Sequence, residues 1–327
     1  MIGDNMEDSK TKAFSPIIGL FLGILAVSTA SLLIRFAQAE APSLVIAAFR
    51  MVLAALILAP FCLSRFSREI VNVPKKTLIL LVVSGTFLAF HFAFWITSLE
   101  YTSVASSVVL VTTAPLWVAL LSPIFLKEKV TSWIVLGLVV SLTGGIIVGL
   151  SSGCEFINGR IACENLAETF RGRIFWGDLM ALAGSWLSAG YLLVGRKVRG
   201  KVSLTSYVFS VYSVAAILLL IMVLITREKI TGYSGQIYFW MFALAIIPQI
   251  IGHSAFNWAL KYLSAAYVSI ALLGEPVGTV ILALFFLRET PTIMELVGGV
   301  LILIGIFLAT RSETARESGN TEKSTIE

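Results

Sequence analysis

The sequence predicts an all-α integral membrane protein, with ten transmembrane helices arranged as two inverted five-helix repeats. Three observations carry that prediction. Apolar residues make up 57% of the 327-residue chain and charged residues only 13%, about half the charged share of a soluble domain. Between residues 16 and 310 the chain is a succession of apolar runs of roughly 20 residues, the length an α-helix needs to cross a bilayer. The stretch 271–292, ALLGEPVGTVILALFFLRETPT, repeats a plan found 161 positions earlier. A large soluble core is excluded because its helices would need wet faces, which these runs lack.

The repeat holds without a gap from Leu99/Leu260 to Gly144/Gly305. Pro115 matches Pro276, Phe125-Leu126-Lys127-Glu128 matches Phe286-Leu287-Arg288-Glu289, and Gly137 and Gly144 match Gly298 and Gly305. Apolar helices share Leu and Ala by chance. They rarely share a proline, a charged turn and two glycines in one register.

Taken in order, the spans run over residues 16–37, 43–63, 76–98, 103–126 and 131–150 in the first half. Those of the second half are 174–195, 204–226, 236–260, 265–287 and 292–310. Residues 1–15 form an N-terminal tail, 16–150 the first repeat, 151–173 the loop between repeats, 174–310 the second repeat, and 311–327 a polar, disordered tail. No cleavable signal peptide is evident. With the N-terminus inside, inner loops hold eleven Lys and Arg and outer loops seven, which places both termini in the cytoplasm. Five spans per half is an odd number, so the second half is inverted, a recurring feature of secondary transporters.

The loop 151–173 carries Cys154 and Cys163 on the predicted outer side, where they are either a disulfide or two free thiols. Cys62 lies inside a span as packing. The basic residues sit in the breaks between spans, so the net charge of +5 does not indicate nucleic acid as a partner.

Polar groups inside a bilayer are costly, so they mark cavities or helix contacts. The only two histidines, His91 and His253, lie mid-span in repeat-related spans three and eight. Gln249, His253 and Asn257 follow one another at four-residue steps, which puts them on one helix face, with Pro248 loosening the backbone beside them. His91 and Trp95 share a face in the same way. These groups form either a substrate-binding wall or helix–helix glue. Thr113 and Trp117 in span four and Trp186 in span six are further lining candidates.

Glu275, before Pro276, is either a proton or substrate-amine site or a group that holds a helix contact at the bend. Arg50 cannot shed its charge and needs a partner. We read it as structural in the first place and substrate-binding in the second. Asp178 reads as an N-terminal cap. Glu128 and Glu289 read as local turn or cap residues. Pro115, Pro248 and Pro276 are the expected helix kinks.

These residues resemble one family. The ten spans in two halves, the Phe49-Arg50 pair, the Pro115…Phe125-Leu126-Lys127-Glu128 signature and the Glu275-Pro276…Phe286-Leu287-Arg288-Glu289 signature look like the EamA-type branch of the drug/metabolite transporter superfamily. The resemblance covers 16–310. It implies a ten-helix alternating-access carrier in the bacterial plasma membrane with a central cavity, taking amino acids, other small metabolites or drugs. Span one departs from the family in lacking its common tryptophan, with Ser28 in the place that Trp186 holds in span six.

The leading expectation is a secondary transporter exporting amino acids or related small metabolites, with a small-molecule substrate and the lipid bilayer as its partners. Efflux of cationic drugs remains an alternative because of Glu275. Exchange of phosphorylated sugars or nucleotide sugars would require cations in the cavity, and Arg50 is the one candidate. An intramembrane enzyme or a structural membrane protein is the non-transport alternative. The sequence offers no phosphate loop, no catalytic pair and too few histidines for a metal site, so no cofactor or metal is expected and the protein is read as a non-enzyme. The sequence leaves monomer and homodimer open.

Overall fold

The protein is seen in a computed structural model that describes residues 15–102, 104–150, 154–157, 160–163, 172–286 and 293–324. Residues 1–14 and the Arg288-Glu289 turn lie outside them. Helices follow the order of the apolar runs, but several runs are divided. The first is split into α1 (Pro16–Val27) and α2 (Ala30–Ala37). Then come α3 (Ser43–Arg65), the short α4 (Ser67–Val71) and α5 (Lys75–Tyr101). The fourth run is split into α6 (Val104–Val111) and α7 (Ala114–Phe125), and α8 (Ser132–Leu150) follows.

A hairpin of β1 (Cys154–Ile157) and β2 (Arg160–Cys163) stands between the halves. Its antiparallel register sets Cys154 opposite Cys163. The second half begins with α9 (Gly172–Arg199) and α10 (Leu204–Thr226). It continues with α11 (Gly235–Leu244), a π-helical stretch (Ala245–His253) and α12 (Ser254–Ala259). α13 (Ala265–Ala271), α14 (Gly274–Phe286) and α15 (Ile293–Ser324) complete it.

Among the described residues six helices are long and apolar enough to cross a membrane, counting Pro16–Ala37 across its break. Ala114–Phe125, Ser132–Ile147 and Leu296–Ala309 are shorter apolar helices. Leu56, Leu120, Ile124, Leu224 and Phe307 are exposed on the outside, an apolar surface suited to lipid.

The breaks have local causes. At Ser28-Thr29 the two hydroxyls donate to the carbonyls of Ile24 (2.8 Å) and Ala26 (2.7 Å). At Thr112-Thr113 they donate to Val108 (2.7 Å) and Leu110 (2.7 Å). Each hydroxyl thus adds a second donor to a carbonyl that already accepts a backbone N–H at the helix end, a side-chain bond that competes with the regular ladder and bends helices. Pro115 is in the first turn of α7, and Pro276 is the third residue of α14. The missing proline N–H is no loss there, so these prolines restart helices instead of kinking continuous ones. The third break, Leu272-Leu273, stands in the repeat position of Thr112-Thr113 to within one residue. Pro248 lies inside the π-helical stretch, where its lack of a donor disturbs the regular hydrogen-bond ladder.

Small residues set the closest packing. A Cβ on Gly137 would lie 2.6 Å from the Gly305 carbonyl oxygen, and one on Gly144 would lie 2.5 Å from that of Gly298. The partner numbers fall as the first numbers rise, so α8 and α15 run antiparallel. Ser141 Oγ, between these contacts, donates to the carbonyl of Ile302 at 3.3 Å. In the repeat register Ile302 is Ser141's own counterpart. Elsewhere α5 packs on α9 through Tyr101–Gly177 and Phe87–Gly190, again antiparallel. Their repeat counterparts pack likewise, α1 meeting the π-helical stretch and α12 through Gly23–Ala255 and Val27–Gly252.

Two boundary expectations are corrected. The last helix continues to Ser324, where a disordered tail was expected. Residues 311–324 contain no proline to stop it. α9 begins at Gly172, so Asp178 is inside it and is not its N-cap residue. Asp178 instead accepts a hydrogen bond from the Thr102 hydroxyl at 2.8 Å.

A polar cavity where three helices break

The three breaks meet around one narrow cavity of about 60 Å³. Val27 and Ala30 flank the first break, Thr112 and Ala114 the second, and Leu272, Leu273 and Glu275 the third. His91 and Trp95 of α5, Arg50 of α3, Ser188 of α9 and His253 close the wall. A break is the one place where a membrane-spanning helix presents backbone polar groups sideways, so it is the natural place for a polar cavity.

Arg50 is fully buried. Its Nε donates to Gln249 Oε1 at 2.8 Å, and its guanidinium lies 4.1 Å over the ring centroid of Phe92. Both terminal nitrogens, Nη1 and Nη2, are buried without a hydrogen-bond partner among the described residues. Glu275, in the first turn of α14, lines the same cavity. Its backbone carbonyl accepts from Ser28 Oγ (3.1 Å) and Thr279 Oγ1 (3.0 Å). Among the described residues its carboxylate accepts no hydrogen bond and stands in no ion pair.

The two histidines are held differently. His91 Nδ1 is 2.9 Å from the Gly184 carbonyl. A carbonyl can only accept, so Nδ1 carries a proton. The ring stacks on Trp95 with centroids 5.8 Å apart. His253 packs edge-on to Phe92, centroids 5.3 Å apart, and its Nδ1 is buried without a hydrogen-bond partner among the described residues.

The three-residue stripe of span eight does not stay together. His253 lines the cavity, Gln249 turns to Arg50, and Asn257 donates to Tyr191 Oη (2.5 Å) and to the His253 carbonyl (2.7 Å). Gln249 and Asn257 are both fully buried. The π-helical stretch changes the number of residues per turn, so equal sequence spacing no longer means one face. Thr113 is occupied with the Leu110 carbonyl and Ser185 Oγ (2.9 Å). Trp117 and Trp186 meet each other edge-on at 5.4 Å. Trp186 is 51% exposed and stands apart from the cavity. Its neighbour Ser188 and the helix-break residue Thr112 reach the cavity instead. The Thr112-Thr113 pair just before Pro115 was the signal for a break.

Among the described residues no group of three or more His, Cys, Asp or Glu side chains is arranged to hold a metal.

A family model described as the EamA-like transporter family matches residues 14–150 and again residues 175–311. The chain belongs to the EamA-like transporter family. The double match coincides with the internal repeat, and the family lies within the drug/metabolite transporter superfamily. An uncharacterized transporter of Archaeoglobus fulgidus is 25% identical over 298 residues, covering 89% of this chain and 95% of its own. YyaM, an uncharacterized transporter of Bacillus subtilis, is 25% identical over 240 residues, covering 72% and 74%. A solved crystal structure shares the fold with a TM-score of 0.74 and 18% identity, over 92% of this chain and 98% of its own. This EamA-like protein is therefore a multi-pass membrane transporter, and the cavity at its helix breaks is its candidate substrate site.

Proposed function

We propose that this protein is a secondary active carrier that exports amino acids or related small metabolites across the bacterial plasma membrane by alternating access. One observation carries the reading: a cavity bounded by three helix breaks is lined by Arg50, whose Nη1 and Nη2 have no hydrogen-bond partner among the described residues, and by Glu275, whose carboxylate stands in no ion pair among them. Oppositely charged groups in one small cavity suit a zwitterion. Adding the broken and shorter helices to the six long ones supports a count of ten spans. Antiparallel packing of α8 on its repeat counterpart α15 supports inversion of the two halves, and inverted halves are built to rock around a midplane site. The Lys/Arg bias puts both termini in the cytoplasm. His91, Trp95 and His253 line the site in this reading, and Gln249 and Asn257 support it from behind. Efflux of cationic compounds is the second reading, favoured by the Glu275 carboxylate, which stands in no ion pair among the described residues.

The test is uptake of a labelled amino-acid panel into proteoliposomes, with and without a pH gradient, for wild type, His253→Ala and Glu275→Gln. Saturable uptake that falls in His253→Ala supports the site. Loss of only the gradient response in Glu275→Gln makes Glu275 the coupling group. Uptake of organic cations but no amino acid selects the second reading.

A further inference from the structure

We infer that the outer edge of the Arg50 guanidinium is the anchor for a substrate carboxylate, which makes Arg50 a specificity-determining residue. The inference rests on the carrier reading above and names the chemistry its substrate must have.

A guanidinium has five N–H donors in a fixed planar fork. At Arg50 the Nε donor is taken by Gln249 Oε1 at 2.8 Å, and one face is taken by Phe92 at 4.1 Å. These two contacts fix the plane and direction of the group. What they leave is the Nη1/Nη2 edge, whose nitrogens are buried and unpartnered among the described residues. That edge presents two parallel N–H donors, the pattern that matches the two oxygens of a carboxylate. A side chain held only for structure would have this edge satisfied, because unpaired buried donors of a charged group are costly.

The surroundings narrow the ligand further. Glu275 is the carboxylate lining the same cavity, and no ion pair within 4.0 Å joins it to Arg50. It therefore leaves the fork free and offers a second pole for an amine. Among the other polar neighbours, His91 is held through Nδ1 by the Gly184 carbonyl, and Ser188 and Ser269 are hydroxyls. The Trp95 ring supplies an apolar wall. One cation and one anion fit a monocarboxylate bearing an amine. A phosphorylated sugar, with roughly two negative charges on its phosphate, would find a single cation and a repelling carboxylate.

The experiment measures thermal shift of the purified full chain with three matched ligand series: amino acids, their decarboxylated amines and their methyl esters. The wild type is expected to be stabilised by members of the amino-acid series, with amines and esters about tenfold to a hundredfold weaker. Arg50→Gln is expected to lose that preference, and Arg50→Lys to keep the charge but lose much of the affinity. If Arg50→Gln does not fold, the wild-type ligand series decides alone. Amines or esters that bind wild type as tightly as the amino acids overturn the anchor and leave the carrier reading standing. A wild type that responds to no carboxylate-bearing ligand overturns both.

Discussion

Gly144 and Gly145 are neighbours on α8, and the structure assigns their alanine variants opposite signs. A Cβ on Gly144 would lie 2.5 Å from the Gly298 carbonyl oxygen and 2.9 Å from the Ile302 nitrogen. Both are backbone atoms of α15, so no side chain can swing away and the helices themselves must part. A Cβ on Gly145 meets nothing within 4 Å. Replacing glycine by alanine inside a helix gains about 1 kcal/mol at either site. Overpacking a tight contact costs up to about 3 kcal/mol, and contact with rigid backbone puts Gly144 at that end. The net is a loss of about 2 kcal/mol for Gly144→Ala and a gain of about 1 kcal/mol for Gly145→Ala. For a chain of 327 residues these correspond to shifts of roughly 3 °C downward and about 1.5 °C upward. Thermal unfolding of detergent-purified protein, followed by loss of the monodisperse peak, reads both. Equal shifts of the same sign would refute the close antiparallel packing of α8 on α15.

Three further outcomes follow from contacts outside the spans. Glu128 pairs with Arg196 at 2.6 Å and accepts from the Ala265 backbone N–H at 3.2 Å, tying the first half to the second. A double-mutant cycle of Glu128→Ala with Arg196→Ala is expected to give about 1 kcal/mol of coupling, and zero coupling would contradict the contact. Burial pushes the Glu69 carboxyl up, but hydrogen bonds from the Ser203 backbone N–H (2.6 Å) and from the Ser203 and Ser206 hydroxyls (each 2.7 Å), with the Arg199 charge, outweigh it and hold it below the usual value. A lowered carboxyl pKa contributes stability above the unfolded value and loses it as pH falls. The stability advantage of wild type over Glu69→Gln should therefore shrink from about pH 7 to about pH 4, and a constant advantage would contradict it. Finally, the hairpin register that faces Cys154 with Cys163 predicts their disulfide in the oxidised protein. Denatured, unreduced protein should then alkylate Cys62 alone, and labelling of all three cysteines would show free thiols.

Much of the architecture was legible because its causes are local or periodic. Bilayer-length runs gave the helices their order, and the fixed 161-residue register exposed the repeat before any contact was known. Breaks were less legible. Pro115 and Pro276 announced a disturbance, but a proline that bends a helix and one that restarts it look alike in sequence. Ser28-Thr29 has no proline at all. The site was read least well where regular geometry was assumed. Gln249, His253 and Asn257 share a face only on an α-helix, and here a π-helical stretch intervenes. Arg50 reads first as structural because the family resemblance makes it a shared feature, and with its Gln249 partner 199 positions away sequence reasoning had no view of which of its five donors would be left free.

The central claim, a substrate cavity at the helix breaks that opens to each side in turn, is tested most directly by accessibility. Ser269 lines that cavity, and its hydroxyl donates to the Ala266 carbonyl on its own helix. Ser269→Cys, in a chain with Cys62, Cys154 and Cys163 replaced, would be treated with a small membrane-impermeant thiol reagent from either side of sealed vesicles. Alternating access predicts labelling from both sides, each slowed by a transported substrate. A cysteine at this position that neither side can reach, with or without substrate, would contradict the account.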